Sequence, residues 1–428
     1  MRLQAAAPKA LIVTTVHWPA TTRLGLALIN AGFTVAAVAV ADHGLRQLRR
    51  LDAFFACKPH VRTAATIRRA IERWMPDLVV PGDDPALRCL HAIHADAKLR
   101  EGSRAAILAQ LIETSLGNPA HFGLVEQRSA IVDLAVADGL RVPDSTVLTG
   151  VADLKARLAG ATFPKVLKSD GSWGGLGVRI VRSPEEAERA YRELASPPKW
   201  TRVAKHLLQG FDVGPLRARL VRQRPAVTLQ DYVGGRPANS AVACWKGEVL
   251  AGVSVEVLQT GVETGPSTVV RVIDHPEMAH ATAHLVRRLE LSGFCGVDFM
   301  LDEAGRAYLL EINPRTTQIC HLALGEGGDM AGTLHACLIG GPPRRIAPLG
   351  CDVIALFPQE YWRDPASSYL FSAHHDVPWD APEFIRAYLE PPAPPWIDAL
   401  QQRLRRRRGP RAAGRRLGTI SIKQGSSG

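Results

Sequence analysis

A polar stretch that follows an apolar run is the first place in this sequence where side chains could do chemistry. In AYLLEINPRTTQ, residues 307–318, Glu311, Asn313 and Arg315 stand at alternating positions. Alternate residues of a β-strand point to one face, so Glu311 and Asn313 would lie side by side. Either this is an edge strand with a solvated outer face, or it is a ligand site built from a carboxylate, an amide and a guanidinium.

The residues just before this strand supply a third oxygen donor. GVDFMLDEAGRAYLLEINPR reads as a β-hairpin with Asp298 on one strand and Glu311 and Asn313 on its partner. Carboxylate and amide oxygens suit Mg²⁺, which keeps several waters and bridges nucleotide phosphates, and Mn²⁺ accepts similar ligands. Arg315, held by the preceding proline, would place a planar cation beside those phosphates. We therefore predict a metal site formed by Asp298, Glu311 and Asn313.

A second candidate is the glycine-rich stretch in FPKVLKSDGSWGGLGVRIV. Lys168 closes a predicted strand there, and the next strand follows the glycines. Glycines let backbone N–H groups approach an anion, and a lysine adds a mobile charge, so the pattern is typical of a loop that covers phosphates. An ordinary glycine-rich hairpin is the alternative. Lys165 would point to the opposite face from Lys168. The glycines of this loop are Gly171, Gly174, Gly175 and Gly177.

A third candidate is VTLQDYVGG, where a buried strand ends in polar residues and a glycine turn. Such a strand could offer its backbone to an adenine edge, with Gln230 or Asp231 completing the set. An ordinary strand end is the alternative interpretation.

The elements that must position these residues fall into two patterns. Near the N-terminus, KALIVTT, GFTVAAVAVA and DLVVPGDD read as buried strands that alternate with helices, which indicates a small parallel sheet. Loops at the carboxyl ends of such strands face ligands. Thr14, Thr15, His17 and Asp83 fall on these loops, as substrate contacts or as loop caps. G-x-G-x-x-G is missing, which does not support a dinucleotide-binding fold.

Strands dominate the middle of the chain, and the run GGPPRRIAP marks a boundary after it. The middle therefore reads as a separate α+β domain. We predict four regions, an N-terminal α/β domain over 1–115, an α+β domain over 116–342, a C-terminal extension over 343–400 and a basic tail over 401–428.

Composition limits the function classes. The chain has 428 residues, 46% of them hydrophobic, which is enough to bury a large core. No apolar run approaches the roughly 20 residues that span a bilayer. The N-terminal apolar segment is too short and too β-branched for a signal peptide. The seven cysteines are scattered and form no C-x-x-C pair, so we expect a reducing, cytoplasmic setting.

The net charge of +11 comes mostly from the C-terminal tail, which has nine basic residues against one acid between Asp398 and Gly428. An arginine run can bind phosphate backbones, but this tail has no aromatic residue for base stacking. A solvated tail is therefore preferred over nucleic-acid binding.

The order of these motifs is what resembles a known family. The lysine and glycine loop, the polar hinge and the E-x-N-P-R strand follow one another as in the ATP-grasp superfamily. Within it, the chain looks most similar to the ATP-binding domains of the carbamoyl-phosphate synthetase large chain. The resemblance spans about residues 1–340 and implies two α+β lobes that hold ATP, preceded by a small α/β domain.

The resemblance also implies roles for individual residues. Lys168 resembles the lysine that contacts the α- and β-phosphates, and GSWGGLG looks like the mobile loop over them. Arg315 resembles the family's phosphate-stabilising or intermediate-stabilising arginine, and Arg271 falls where many members place another phosphate-facing cation. Asp298, Glu311 and Asn313 resemble the magnesium ligands. The residues that resemble the adenine hinge are Gln230, Asp231, Tyr232 and Val233.

Two positions depart from the family pattern. Arg128 stands where members usually have a lysine before the glycine-rich lobe, so a mobile ammonium becomes a planar fork in the predicted nucleotide site. The sequence GGRPANSA lacks the glutamate that many members have after the hinge glycine, which puts the ribose contact in doubt.

The resemblance implies an ATP- and Mg²⁺-dependent ligase. A small carboxylic acid would attack the γ-phosphate, and an amine would capture the resulting acyl phosphate. The sequence leaves two alternatives open, an ATP-binding regulator or scaffold without ligation activity and a nucleic-acid binder that uses the arginine tail. It names neither the acid nor the amine, and it leaves the oligomeric state open.

Overall fold

The structure is a computed structural model that describes residues 7–58, 63–169, 177–196, 225–261, 265–325 and 327–389, apart from the Arg128 side chain. The predicted tail over 401–428 lies outside the described residues. Within them, no helix is long and apolar enough to cross a membrane. All seven cysteines are free thiols.

The N-terminal region is a parallel sheet in the order β3-β2-β1-β4. Its strands are nearly continuous apolar runs because both faces are covered. The strands are β1 Lys9–Val13, β2 Thr34–Val40, β3 Ala53–Cys57 and β4 Leu78–Pro81. The helices are α1 Pro19–Ala31, α2 Thr63–Trp74, α3 Asp84–Lys98 and α4 Ser103–Leu116, with a 3-10 turn at Gly44–Gln47. The small parallel-sheet domain is confirmed.

A short helical connection leads into a four-stranded antiparallel sheet in the order β5-β8-β6-β7. The connection contains a 3-10 turn at Pro119–His121, α5 Phe122–Val125 and α6 Arg128–Ala137. The sheet consists of β5 Ser145–Leu148, β6 Lys165–Ser169, β7 Val178–Val181 and β8 Val227–Asp231. Two helices belong with it, α7 Val151–Leu158 and α8 Pro184–Leu194. Helix α8 begins after Ser183, whose side chain accepts a hydrogen bond from the Glu186 N–H.

A seven-stranded sheet forms the largest layer, in the order β13-β12-β9-β10-β11-β14-β15. Its first strands are β9 Arg236–Trp245, β10 Glu248–Thr260, β11 Ser267–Ile273, β12 Gly293–Leu301 and β13 Ala307–Asn313. Two helices belong to this part of the chain, α9 Pro276–Arg288 and α10 Met330–Ile339. β12 and β13 form the predicted hairpin.

Alternation along β12 separates the two faces of this sheet. Phe294 packs in one core with residues of α1 and α10. Val297 and Phe299 pack in a second core with residues of α9. Asp298 therefore lies on the same face as Phe294, toward the N-terminal domain.

The predicted C-terminal extension continues the large sheet. β14 Val353–Leu356 pairs antiparallel with β11, and β15 His374–Asp376 pairs parallel with β14. The helices of this segment are α11 Gln359–Arg363, α12 Tyr369–Ser372 and α13 Pro382–Tyr388. The segment that was predicted as an extension thus adds two strands to the sheet that also carries β12 and β13.

β15 ends in a buried ionic cluster that joins three segments. The Asp376 carboxylate forms an ion pair with Arg23 of α1 and accepts a hydrogen bond of 2.7 Å from Nε2 of His321. Burial opposes ionisation of Asp376, but Arg23 and His321 outweigh it, and the pKa of Asp376 is lowered. Burial lowers the pKa of His321 although the neighbouring Asp376 opposes this shift. The sulfur of the neighbouring Cys320 accepts a hydrogen bond of 3.2 Å from the Thr317 N–H and lies 3.2 Å from Oγ1 of Thr317.

Candidate functional site

The β12–β13 hairpin brings the three predicted metal ligands to one face. Asp298 pairs with Glu311, and Gly296 pairs with Asn313 two residues along. Gly296 is needed here because a Cβ would lie 2.2 Å from Cγ2 of Thr317, in the segment that crosses the hairpin. The pairing then shifts by one residue after Asp298, which is a β-bulge. Bulges of this kind redirect side chains next to functional sites.

Two amide groups donate hydrogen bonds to Asp298, and a neighbouring carboxylate disfavours its ionised form. Nδ2 of Asn239 donates to Oδ1 of Asp298 at 2.6 Å, and Nδ2 of Asn313 donates to Oδ2 at 3.2 Å. Burial, followed by the negative charge of Glu311, raises the pKa of Asp298 to about 6. The protein thus holds two carboxylates together in a site where the anionic form of Asp298 is disfavoured.

This donor set fits a hard divalent cation. Among the described residues, no group of three or more His, Cys, Asp or Glu side chains could hold a metal ion. The set on the hairpin is not such a group, because only two of its donors are carboxylates, Asp298 and Glu311. Its third donor is the Asn313 amide oxygen. Two carboxylates and an amide, with water at the remaining positions, match the preference of Mg²⁺. A divalent charge would also relieve the repulsion that raises the pKa of Asp298.

Arg315 lies at the end of the hairpin and reaches the N-terminal domain. Its Nε and Nη2 donate to the two carboxylate oxygens of Asp84 at 2.6 and 3.0 Å. Nη2 also donates to Oδ1 of Asn313 at 3.0 Å, and the guanidinium lies 5.9 Å from the Trp18 ring centroid. Burial opposes the charge of Arg315, but Asp84 outweighs it, and the pKa of Arg315 is raised. The predicted catalytic arginine is therefore a fixed cation beside the proposed ligands.

Thr316 anchors the same segment to the sheet of the N-terminal domain. Its backbone N–H and its hydroxyl both donate to the Pro81 carbonyl at 3.0 Å. Pro81 ends β4, so the carboxyl edge of the parallel sheet meets the end of the hairpin. The position of this edge agrees with the general rule that ligands bind beyond the carboxyl ends of parallel strands.

The loop residues of the N-terminal domain act mainly as caps. Asp83 accepts hydrogen bonds from Oγ1 of Thr14 at 2.8 Å and Oγ1 of Thr15 at 3.0 Å. It also caps α3 by accepting from the Ala86 N–H at 2.8 Å. Nε2 of His17 lies 3.1 Å from Oδ1 of Asp42. Of the two interpretations for Asp83, Thr14 and Thr15, the structure favours loop capping.

The predicted phosphate loop is described only at its base. Lys168 lies on β6, which pairs antiparallel with β7. The Ser169 N–H donates to the Gly177 carbonyl at 2.9 Å and joins the two ends of the loop. Gly171, Gly174 and Gly175 lie outside the described residues, so their role stays a prediction.

The predicted adenine hinge connects the four-stranded and seven-stranded sheets. Nε2 of Gln230 donates to the Ser145 hydroxyl at 2.8 Å, and Asp231 accepts from Nζ of Lys165 at 2.6 Å. Both side chains thus have hydrogen-bond partners within the smaller sheet, Gln230 buried and Asp231 exposed. Tyr232 is exposed and Val233 is partly exposed between β8 and β9. An adenine contact at these residues stays a prediction, and it would use the backbone.

The turn after the hinge needs glycine. Gly235 has φ 149°, and a Cβ there would lie 1.9 Å from the Leu301 carbonyl oxygen. The β8–β9 connection therefore lies directly against the end of β12.

The structure does not bring Arg271 to the hairpin residues. In the sheet register Asn239 is opposite Asp298 and Val255, whereas Arg271 is opposite Glu256. Because side chains alternate along a strand, Arg271 lies on the other face from Asp298. Its ion pair is with Asp352, at 3.6 Å. The catalytic role of Arg271 stays a prediction that this register does not support.

Arg128 is the first residue of α6. A helix N-terminus attracts anions, so the backbone position is compatible with the predicted phosphate contact. The contact itself stays a prediction.

Sequence reasoning missed two residues of the site, Asp84 and Asn239. Asp84 follows the capping Asp83 in PGDD and is 231 residues from Arg315. Its position at the end of a parallel strand was the available signal. Asn239 lies in ANSA, where the missing glutamate drew attention to the ribose instead of to Asp298.

Comparisons with known proteins agree with this arrangement. Residues 154–318 match the family model described as the ATP-grasp domain. A D-alanine–D-alanine ligase of Laribacter hongkongensis is 28% identical over 229 residues, covering 50% of this chain and 64% of that protein. The match thus spans slightly less than two thirds of the length of that relative.

Two solved structures show the same fold at low identity. An ADP complex of N5-carboxyaminoimidazole ribonucleotide synthetase has a TM-score of 0.55 at 15% identity, covering 81% of this chain and 80% of the other. The biotin carboxylase domain of Hydrogenobacter thermophilus 2-oxoglutarate carboxylase, solved with MgADP, ADP and bicarbonate, has a TM-score of 0.53 at 16% identity. It covers 81% of this chain and 72% of the other. The predicted fold class is confirmed.

Proposed function

Because the chain is an ATP-grasp protein over its middle region, we propose that it is an ATP-dependent ligase that joins a small carboxylic acid to an amine. The carboxylate oxygen attacks the γ-phosphorus of ATP, and the bond to ADP breaks. The amine then attacks the acyl carbon, loses a proton, and displaces inorganic phosphate. The placement within the carbamoyl-phosphate synthetase type stays a prediction.

The observation that carries this proposal is the pair of carboxylates on the hairpin. Asp298 and Glu311 face each other, and the pKa of Asp298 is raised to about 6 by burial and by Glu311. A fold stabilised only by packing has no use for such a pair, whereas a nucleotide enzyme uses it to hold a divalent ion. That ion, when bound, would neutralise charge on the phosphates.

The chain's own residues would then mainly position the reactants and neutralise the negative charge of the phosphates. Asp298, Glu311 and Asn313 would hold the metal, and Arg315 would stabilise negative charge next to it. Lys168 and the glycine loop would cover the phosphates from the smaller lobe. Positioning and electrostatic stabilisation suffice for phosphoryl transfer, so a protein nucleophile is not required.

The proposal is tested by screening purified protein with Mg²⁺, ATP and a library of carboxylic acids and amines. Phosphate release identifies the active pair, and the product mass identifies the bond formed. Glu311→Ala should lower that turnover at least about a hundredfold, because a metal ligand is lost. Glu303→Ala, an exposed glutamate on the turn of the same hairpin, should leave it unchanged.

The outcomes separate the candidate functions. Undiminished turnover in Glu311→Ala would remove the metal assignment. ATP binding without any product from the library would favour the regulator that the sequence left open.

A further inference from the structure

The Asp298 carboxylate accepts hydrogen bonds from both neighbouring strands. β12, which carries Asp298, lies between β9 and β13 in the large sheet. From β9, Nδ2 of Asn239 donates to Oδ1 of Asp298 at 2.6 Å, and from β13, Nδ2 of Asn313 donates to Oδ2 at 3.2 Å. Each carboxylate oxygen therefore accepts one hydrogen bond, and the two donors together fix the plane of the carboxylate.

This arrangement leaves room for a cation on the same carboxylate. An ionised carboxylate offers about four lone-pair positions, and the two amides use one on each oxygen. The remaining positions can bind a metal ion while both hydrogen bonds are kept. Hydrogen bonds of this kind orient a ligating carboxylate, and losing one typically lowers metal affinity about 10- to 100-fold.

The two donors differ in their other contacts. Asn313 is itself a predicted metal ligand, and its Oδ1 already accepts from Nη2 of Arg315 at 3.0 Å. Asn239 is outside the predicted ligand set, and its hydrogen bond to Asp298 is the shorter of the two. Because a carboxylate only accepts, the Asn239 amide must turn its nitrogen toward Asp298. Asn239 is thus a donor that can orient Asp298 without binding the metal itself.

The register of β9 brings Asn239 to this position. Across β9 and β12, Asn239 pairs with Asp298. Three residues earlier, at the start of β9, Arg236 pairs with Leu301. Gly235 precedes this first pair, and a Cβ there would lie 1.9 Å from the Leu301 carbonyl oxygen. A slip of one residue would turn Asn239 to the opposite face of the sheet, so the glycine turn helps to set the partner of Asp298.

We propose that Asn239 is a positioning residue of the metal site: its amide holds the Asp298 carboxylate in the one orientation in which it binds the divalent cation. This inference rests on the proposed function, because it requires that the hairpin binds a metal with a nucleotide. It extends the site from the two strands of the hairpin to β9, the strand that follows the predicted adenine hinge.

The rival explanation is that Asn239 only stabilises the sheet. A cross-strand hydrogen bond to a carboxylate contributes to folding whether or not a metal binds. Both explanations therefore expect a variant without the amide to have a lower melting temperature. They differ in metal affinity, because a purely structural bond would leave the affinity of the folded protein unchanged.

The test measures Mn²⁺ binding at saturating ADP by water-proton relaxation, which needs neither substrate nor turnover. Asn239→Leu keeps the approximate size of the side chain but removes the donor, and it should weaken Mn²⁺ binding about tenfold.

Ser240→Ala is the matched control. Ser240 is the next residue of β9, and its hydroxyl oxygen lies 2.8 Å from that of Ser254, so this variant also removes a hydrogen-bonding side chain from the strand. Because side chains alternate along a strand, Ser240 faces the other side of the sheet from Asn239. Ser240→Ala should therefore leave Mn²⁺ affinity unchanged.

The double variant Asn239→Leu with Asp298→Asn shows whether Asn239 acts through Asp298. Asp298→Asn alone should weaken Mn²⁺ binding, because a predicted ligand loses its charge. Adding Asn239→Leu should then cause less than about a twofold further loss, since the group that it positions is already altered. A further loss of about tenfold would mean that the two residues act independently, and the inference would be wrong.

Asn239→Ala serves if Asn239→Leu does not fold, with the same expected loss of about tenfold. Equal Mn²⁺ binding by the wild type and the folded variant would overturn the inference and leave the proposed function standing. Wild-type protein that binds no Mn²⁺ with ADP would instead overturn the proposed function.

Discussion

Two aspartates of the large sheet, the partly buried Asp298 and the buried Asp376, have opposite electrostatic surroundings. Asp298 on β12 faces Glu311 and two neutral amides, and its pKa is raised. Asp376 on β15 faces Arg23 and His321, and its pKa is lowered despite burial. Burial opposes ionisation of both carboxyls, so burial alone does not account for the opposite directions of their pKa shifts.

The difference lies in what the protein supplies as a counter-charge. In the β15 cluster the Asp376 carboxylate faces the Arg23 cation and accepts from Nε2 of His321, and these contacts join α1 to the last strand of the sheet. The β12–β13 cluster instead sets the carboxylates of Asp298 and Glu311 opposite each other, and the pKa of Asp298 is raised by burial and by Glu311. A cluster of the first kind serves the fold, and one of the second kind indicates a ligand.

The largest expected change in the free energy of unfolding is at the Asp376 cluster on β15. Asp376→Asn keeps the shape but leaves the buried Arg23 without its counter-charge, so it should lower the free energy of unfolding by about 3 kcal/mol. Urea denaturation at pH 7 measures this.

The pH dependence of the same residue has a defined sign. A carboxyl whose pKa is lowered by folding stabilises the protein above its ordinary value of 3.8, and this contribution is lost as the pH falls. The wild type should therefore lose more stability than Asp376→Asn between pH 5 and 3. Equal losses would contradict the assignment.

The matched substitution in the β12–β13 cluster should change the free energy of unfolding in the opposite direction. Asp298→Asn removes one of two repelling charges, so in metal-free buffer at pH 8 it should raise the free energy of unfolding by about 1–2 kcal/mol. The pKa of Asp298 is raised to about 6, so this residue destabilises the folded state as the pH rises from about 4 through 6.

Urea denaturation of wild type and Asp298→Asn across that pH range, with a chelator present, measures the effect. The gain should shrink toward zero as the pH falls below about 4, where the Asp298 carboxyl is protonated in both the folded and the unfolded state. A variant that is less stable than the wild type at pH 8 would mean that Asp298 is compensated by the protein, and the contrast with Asp376 would fail.

The smallest change in the free energy of unfolding is expected at an exposed ion pair. Asp231 pairs with Lys165 at 2.6 Å, but the Asp231 side chain is 52% exposed. Asp231→Asn should change the free energy of unfolding by at most about 1 kcal/mol, because solvent screens the charge. A loss as large as that of Asp376→Asn would show that exposure is a poor guide to these clusters.

The parts of the site that the sequence predicts are local. Asp298, Glu311 and Asn313 belong to one hairpin, and strand periodicity places them on one face. The register also explains why Arg271 lies on the other face from Asp298, because Arg271 is two strands beyond Asn239 in the sheet and a shift of one residue decides which face it occupies. Neither the spacing of residues nor the composition of the sequence shows which face of the sheet Arg271 occupies.

The contacts that complete each cluster are distant in sequence. Arg315 is 231 residues from Asp84, and His321 is 55 residues from Asp376. Such pairs depend on how whole layers pack, which a single sequence does not reveal. The ATP-grasp resemblance supplied the layers, but it carried no information on these two acids.

The strand that flanks β11 comes from beyond residue 342, since β14 pairs with it from Val353 to Ala355. A shortened protein that stops at residue 342, the predicted end of the α+β domain, would expose a row of unpaired backbone N–H and C=O groups along β11. Such an open edge recruits strands from other molecules, and the product would aggregate. Anyone trimming this protein for crystallisation should keep the chain at least through Asp376.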